Sequence, residues 1–430
     1  MGGYIMDYIN LNYTPNENDL LSCMIIKGEN LEKLANEIAG ESSIGTWTKV
    51  QTMKSDIYEK LRPKVYEIKE IDKEGEYKVG LIKIAYPLYD FEINNMPGVL
   101  AGIAGNIFGM KIAKGLRILD FRFPEEFVKA YKGPRFGIDG VRETLKIKER
   151  PLLGTIVKPK VGLKTEEHAK VAYEAWVGGV DVVKDDENLT SQEFNKFEDR
   201  IYKTLEMRDK AEEETGERKA YMPNITAPYR EMIKRAEIAE DAGSEYVMID
   251  VVVCGFSAVQ SFREEDFKFI IHAHRAMHAA MTRSKDFGIS MLALAKIYRL
   301  LGVDQLHIGT VVGKMEGEEK EVKAIRDEIV YEKVEADNEH KFFNQMWFDI
   351  KPVFPVSSGG VHPRLVPQIV EILGKDLIIQ AGGGIHGHPD GTIAGAKAMR
   401  AAIEAVMEKK SLEEKAEEVA ELKKALEYWK

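Results

Sequence analysis

From about residue 140 onward the chain alternates between short apolar runs and charged amphipathic stretches. The apolar runs number eight: LLGTIVK, GVDVVK, AYMPNIT, YVMIDVVV, FKFIIHAH, DQLHIG, PVFPVSSGG and DLIIQAGGG. They recur at roughly the 25–50-residue spacing of βα units. Each reads as buried along its length rather than alternating, as parallel strands covered on both faces do. Count and rhythm together predict a (β/α)8 barrel over about 150–400, inside a catalytic domain of residues 136–410.

The preceding residues, 1–135, have a different texture. LLSCMIIKG, YEIKEI, YKVGLIKIAYP and GLRILDFRFP are rich in β-branched and aromatic residues and read as strands. NLEKLANEIAGES and MPGVLAGIAGNIFG carry apolar residues at helical spacing. These predict an N-terminal α+β domain around an antiparallel or mixed sheet. SLEEKAEEVAELKKALEYWK, 411–430, contains no turn residue and reads as an amphipathic helical tail. A length of 430 residues, too great for one ordinary core, agrees with two domains.

Bulk features narrow the function classes. No apolar run approaches the ~20 residues of a membrane span, and MGGYIMDYIN has neither the regions of a signal peptide nor a myristoylation serine or threonine at position 6. Two cysteines, Cys23 and Cys254, suit a reducing cytoplasm. A formal charge of −10 argues against a nucleic-acid binder but allows a small anionic substrate held by local cations.

A barrel predicts catalytic groups at the C-terminal ends of its strands, and the unusual polar residues fall there. Lys158 and Lys160 follow the first strand, and Lys184-Asp185-Asp186-Glu187 the second. His272, His274 and Arg275 close the fifth. His307 lies on the sixth, with Lys314 in the following loop. Ser357-Ser358-Gly359-Gly360 and Gly382-Gly383-Gly384 follow the seventh and eighth.

Each group has a plain reading beside a chemical one. Asp186 and Glu187 are hard oxygen ligands suited to Mg²⁺, or members of a solvated acidic loop. Lys184 beside them is a salt-bridge partner, a Schiff-base amine, or an amine that captures CO2 and becomes a carbamate anion. Only the last makes it an ally of the two acids in binding a cation. Lys158 and Lys160 suit a phosphate or a developing enolate, or form a basic turn. His272-x-His274 shares one strand face. A zinc amidohydrolase would carry that motif after its first strand, so its place after the fifth disfavours that class. Gly309 and Gly313 flank a loop that could carry Lys314 as a lid, or be an ordinary connection. The glycine loops after the last two strands suit phosphate. Gly382-x-Gly384-x-x-Gly387 matches a dinucleotide fingerprint, but no strand follows it as that fold requires.

Taken in order, GGVDVVKDDEN, IVKPK, IHAHRAMHA, HIGTVVGKMEG, PVSSGG and QAGGG resemble the ribulose-1,5-bisphosphate carboxylase/oxygenase (RuBisCO) large-subunit family, and ESSIGTWT, AYP and GNIFG extend the likeness over nearly the whole chain. KMEG and the short N-terminus resemble the archaeal, form III branch. The resemblance implies Mg²⁺-dependent carboxylation of ribulose 1,5-bisphosphate, with O2 as a competing substrate. It implies a carbamylated Lys184 that holds Mg²⁺ with Asp186 and Glu187 and starts enolisation. Lys158 would protonate the final carbanion, supported by Lys160, with His274 assisting proton transfer. Arg275 and His307 would grip a phosphate, and Lys314 would stabilise the new carboxylate. Ser358, Gly359, Gly360, Gly382 and Gly383 would meet substrate hydroxyl and phosphate oxygens. Glu41, Thr46, Trp47 and Asn106 would come from a neighbouring subunit, making a head-to-tail homodimer the minimal unit, with no small subunit implied. Form III likeness implies nucleoside or AMP salvage. Ile156 and Ile308 depart from the plant-type threonine and serine, which bears on affinity and CO2/O2 discrimination. The alternative in the same family is a RuBisCO-like enolase or isomerase that never carboxylates.

Overall fold

A computed structural model describes residues 7–46, 48, 50–312 and 319–429. Two units, each discontinuous in sequence, divide the chain. Residues up to Lys132, Met277–Leu300 and Tyr331–Ile350 form one; Gly133–Ala276, Leu301–Val330 and residues from Lys351 form the other.

The second unit is built on the eight expected strands: Leu152–Ile156, Val182–Lys184, Ala220–Met222, Tyr246–Asp250, Ile270–His274, Gln305–Gly309, Phe354–Ser358 and Ile378–Gln380. They pair in parallel in the order third, second, first, eighth, seventh, sixth, fifth, fourth. A parallel bridge between Asn224 and Met248 brings the third strand to the fourth and closes the ring. Helices of this same unit that connect its strands cover the outside, so the outward residues are apolar too, which is why the runs read as continuous. Inside, Leu152, Val182, Ala220, Tyr246, Ile270, Phe354 and Ile378 form one buried cluster with Ile138, Val141 and Leu145 of the helix Gly137–Leu145. Burying side chains of this size contributes about 1.5–3 kcal/mol each, and the cluster packs the barrel interior below the polar residues.

The first unit holds a five-stranded mixed sheet in the order Phe287–Ile289, Gly115–Arg122, Asp19–Gly28, Tyr77–Pro87, Lys64–Glu74. All neighbours are antiparallel except Phe287–Ile289, which runs parallel to Leu116–Ile118. The helix Leu31–Glu41 starts where the Asn30 side chain accepts the Lys33 N–H, and it buries Leu31, Leu34, Ala35 and Ile38. The other expected helix runs over Met96–Ala104 and gives way to a 3-10 turn at Ile107–Gly109.

The C-terminal segment differs from a single helix. It forms Leu412–Glu418 and Ala420–Tyr428, separated by Val419 in an extended conformation (φ −126°, ψ 103°). A β-branched residue is an easy place to interrupt a helix. The break lets Leu422, Ala425 and Leu426 bury independently of Leu412 and Ala416. Among the described residues, no helix is long and apolar enough to cross a membrane.

Candidate active site

Strand alternation assembles the site. Residues two positions beyond an interior apolar residue also point inward, and at the C-terminal ends these become polar. Val182 is followed by Lys184 and Asp186, Met248 by Asp250, Ile270 by His272 and His274, Val356 by Ser358, and Ile378 by Gln380 and Gly382. Interior packing thus passes into a ring of functional groups within a few residues of each strand.

Lys184 is the most constrained of them. Its side chain is 1% exposed, its Nζ donates to the Asp185 carbonyl at 2.8 Å, and Glu187 Oε2 lies 3.5 Å away. Burial pulls the ammonium pKa down, against Glu187, Asp186 and Asp250, while the Lys158 charge adds to the lowering. The balance favours a neutral amine more than at a surface lysine.

The two inward acids are held by cations. Lys158 Nζ donates to Asp186 Oδ2 at 2.7 Å, and Asn188 donates to Oδ1 through its backbone (3.1 Å) and side-chain (2.9 Å) N–H groups. Burial would raise the Asp186 pKa; these bonds outweigh it and hold the carboxyl low. Glu187 is likewise lowered despite burial, by Lys184 and His274. Lys160 Nζ stands 3.9 Å from Glu187 with its side chain more than half exposed, so this pair contributes little.

Asp185 faces the other way, toward the helix layer, as alternation requires. Its carboxylate accepts from Arg200 Nε (3.1 Å), the Tyr221 hydroxyl (2.6 Å) and the Asn224 N–H (2.9 Å), with His168 Nε2 at 3.0 Å. Burial alone would raise its pKa; Arg200 and His168 reverse this and hold it far below the ordinary range. A depressed carboxyl contributes stability that is present above the unfolded pKa of about 4 and is lost as pH falls through the folded value. Asp185→Asn should therefore lower the denaturant midpoint at neutral pH. The gap from wild type should close on acidification; a gap independent of pH would contradict this role.

Across the barrel, His274 Nδ1 is 2.9 Å from Asp250 Oδ1, and its Nε2 is 3.7 Å from Glu187 Oε2. His272 contacts Gln305 Oε1 through Nδ1 (2.8 Å) and His307 Nε2 through its own Nε2 (3.0 Å). His307 Nδ1 is 2.7 Å from Ser358 Oγ. Burial, with Lys184 nearby, lowers His272 to about 3; burial and the neighbouring histidines and cations take His307 well below its usual value. Both shifts favour the neutral imidazole. Arg275 is lowered to about 10 by burial, opposed by Glu321. Gly309 adopts φ +97°, and a Cβ there would stand 2.9 Å from Arg275 Nη2, so glycine leaves the guanidinium its place. At Gly382, a Cβ would come within 3.3 Å of Lys158 Cε. Gly359 and Gly360 both have positive φ, and the short helix Gly383–His386 opens immediately after Gly382.

In the first unit, Asn106 Nδ2 donates to Glu41 Oε1 at 3.0 Å, while Thr46 is exposed. Trp47 and Lys314 lie outside the described residues. His278 also belongs to this unit and bonds Thr282 Oγ1. Asp250, Gln305 and Asn188 escaped the sequence reading. Asp250 could have been found by extending the strand-end rule to the fourth strand, where YVMID closes on an acid.

Two family models match the chain: ribulose bisphosphate carboxylase large chain, N-terminal domain, over residues 7–127, and the catalytic domain of the same chain over 137–429. The chain belongs to the RuBisCO large-chain family. Ribulose bisphosphate carboxylase of Methanocaldococcus jannaschii is 95% identical over 425 residues, covering 99% of this chain and 100% of the relative. That of Pyrococcus abyssi is 49% identical, with 99% and 97% covered. The dimeric archaeal RuBisCO of Hyperthermus butylicus superposes with a TM-score of 0.93 at 42% identity, covering 99% of both chains. The octameric RuBisCO of Pyrococcus horikoshii, solved with sulfate ion, gives 0.90 at 48% identity, covering 99% and 96%. The RuBisCO architecture, a mixed-sheet N-terminal domain followed by a parallel barrel, is the one described above.

Proposed function

We propose that the chain carboxylates ribulose 1,5-bisphosphate with CO2 to give two 3-phosphoglycerate, with oxygenation as a side reaction, once Lys184 has taken up an activating CO2 as a carbamate and Mg²⁺ is bound. The observation that carries this reading is the buried Lys184 amine beside Glu187, with Asp186 on the same inward face. Asp186 and Glu187 offer two hard oxygen ligands, and among the described residues no group of three His, Cys, Asp or Glu converges on a possible metal position. An anionic oxygen on Lys184 would complete a three-ligand set, so the residues fit the ion. Bound there, Mg²⁺ supplies Lewis-acid polarisation of the substrate oxygens at C2 and C3.

The remaining work falls to side chains. The Lys184 carbamate is the base that takes the C3 proton. Lys158 exchanges its bond to Asp186 for one to substrate and delivers the proton that quenches the final carbanion, with Lys160 adding positive potential. His274, oriented through Nδ1 by Asp250, keeps Nε2 for proton transfer on the Glu187 side. Arg275, with His307 beside it, supplies charge for one phosphate; the Gly359-Gly360 and Gly382-Gly383 turns offer backbone N–H groups to substrate oxygens. Lys314 stabilises the new carboxylate. Glu41, Thr46, Trp47 and Asn106 complete the site of a neighbouring copy in a head-to-tail dimer, the reading we favour over a monomer. Salvage of nucleoside-derived sugar phosphate is the metabolic setting that the archaeal likeness supports.

Mg²⁺-dependent incorporation of labelled CO2 into 3-phosphoglycerate tests the proposal. Incorporation after preincubation with CO2 and Mg²⁺ is the expected result. Enolisation of the bisphosphate without incorporation would instead identify a RuBisCO-like isomerase.

A further inference from the structure

Gln305, His272, His307 and Ser358 form a single file across the fifth, sixth and seventh barrel strands, with contacts of 2.8, 3.0 and 2.7 Å. The first three are buried, Gln305 and His272 completely, and Ser358 is the half-buried end of the file. The two imidazoles meet edge to face, with planes at 82° and Nε2 facing Nε2.

Hydrogen counting gives such a file one polarity. An amide oxygen only accepts, so the hydrogen between Gln305 Oε1 and His272 belongs to His272 Nδ1. A neutral His272 then has a bare Nε2, and the hydrogen in the 3.0 Å contact belongs to His307 Nε2. His307 Nδ1 is bare in turn, so Ser358 Oγ–H donates into it. Both rings being neutral in this dry interior supports the count, since an extra proton on either would reverse it.

We infer that Gln305 and His272 are positioning residues that fix the Ser358 hydroxyl with its hydrogen turned away from the substrate. Ser358 therefore presents only lone pairs to the site and selects a substrate hydroxyl as hydrogen-bond donor, not a phosphate or carboxylate oxygen. The inference rests on the proposed placement of the sugar bisphosphate in this barrel and adds which of its groups Ser358 reads.

The tautomers can be observed without turnover, which separates this inference from the proposed activity. Neutron diffraction from the full chain, exchanged into deuterium oxide, should place deuterium on His272 Nδ1, His307 Nε2 and Ser358 Oγ, the last aimed at His307. Deuterium on His307 Nδ1 would overturn the inference. Gln305→Met keeps the side-chain length but cannot accept, so His272 is free to change tautomer. In a carboxylation assay this variant should raise KM for the bisphosphate about fivefold, a cost of about 1 kcal/mol, with kcat within about twofold. ¹⁵N spectra of its histidines should lose the single Nε2-protonated pattern of His307. An unchanged KM together with altered tautomers would show that the hydroxyl orientation is not read by substrate.

Discussion

Replacing Lys184 by alanine should remove carboxylation, together with its dependence on preincubation with CO2 and Mg²⁺. The loss should reach roughly three orders of magnitude, about 4 kcal/mol of barrier. The argument starts from a charge count. With Lys184 as an ammonium, the inward end of the second strand carries two carboxylates, Asp186 and Glu187, and two lysines within bonding reach of them, Lys158 and Lys184. That arrangement is nearly neutral and offers a divalent cation little. Loss of one proton frees the amine, CO2 adds to it and the carbamic acid releases a second proton, so the Lys184 charge passes from +1 to −1 and a competitor becomes a ligand. Alanine cannot make that change, and Lys184→Arg, which keeps a cation of similar length, should fail equally. The arginine variant separates loss of the carbamate from loss of a packed side chain.

A pH dependence follows from the same residue. CO2 adds only to the free amine, and burial already lowers the Lys184 pKa. The rate of activation should rise with pH through the range in which this amine loses its proton, beginning below that of an ordinary lysine. Calorimetric titration with Mg²⁺ after CO2 equilibration should show binding to the wild type and none to either variant. CO2-dependent Mg²⁺ binding that survives Lys184→Ala would sink the carbamate assignment.

What could be read from the sequence, and what could not, divides along a physical line. All eight barrel strands were legible because each is a buried apolar run punctuated by charged helices, a pattern produced locally by burial on both faces. The site was legible for a related reason: Lys184, Asp186, His274 and Ser358 are polar residues at the ends of apolar runs, where a barrel has its mouth. The outward turn of Asp185 obeys the same strand alternation. Gln305, by contrast, reads as an unremarkable amide at the start of a strand, and its importance arises only from the His272 ring opposite it. Likewise Phe287–Ile289 is too short to carry a periodic signal, and it becomes a strand through pairing with Leu116–Ile118 from the distant N-terminal sheet. Long-range pairing writes nothing into the local pattern. The break at Val419 belongs to the same class, since a helical pattern runs through it without interruption.

That long-range closure of the first unit has a buried ion pair at its centre, and Lys296→Met should be the most destabilising of the substitutions considered. Asp120, on the strand Gly115–Arg122, and Lys296, on the helix Met291–Leu301, have side chains with 0% exposure and an Oδ1 to Nζ distance of 2.8 Å. Oδ1 also accepts the Phe121 N–H (2.7 Å), and Oδ2 those of Phe342 (2.9 Å) and Phe343 (3.2 Å). One carboxylate thus ties together three segments that are far apart in sequence. Burial raises the Asp120 pKa and Lys296 opposes that rise. Without the lysine, the carboxylate keeps its backbone donors but loses its counter-charge, at a cost of about 3–5 kcal/mol. The Asp120 pKa is shifted up where that of Asp185 is shifted down, although the gap from wild type narrows in acid for both variants. An acid whose folded pKa lies above its unfolded value destabilises when ionised, so the deficit of Lys296→Met should shrink as pH falls and Asp120 takes up a proton. Asp120→Asn combined with Lys296→Met should recover part of the loss at neutral pH, because a neutral amide still accepts the Phe342 and Phe343 N–H groups. Guanidinium midpoints of the three proteins across pH decide the matter: a single variant within about 1 kcal/mol of wild type, or a deficit that does not narrow in acid, would show that the pair is dispensable to the fold.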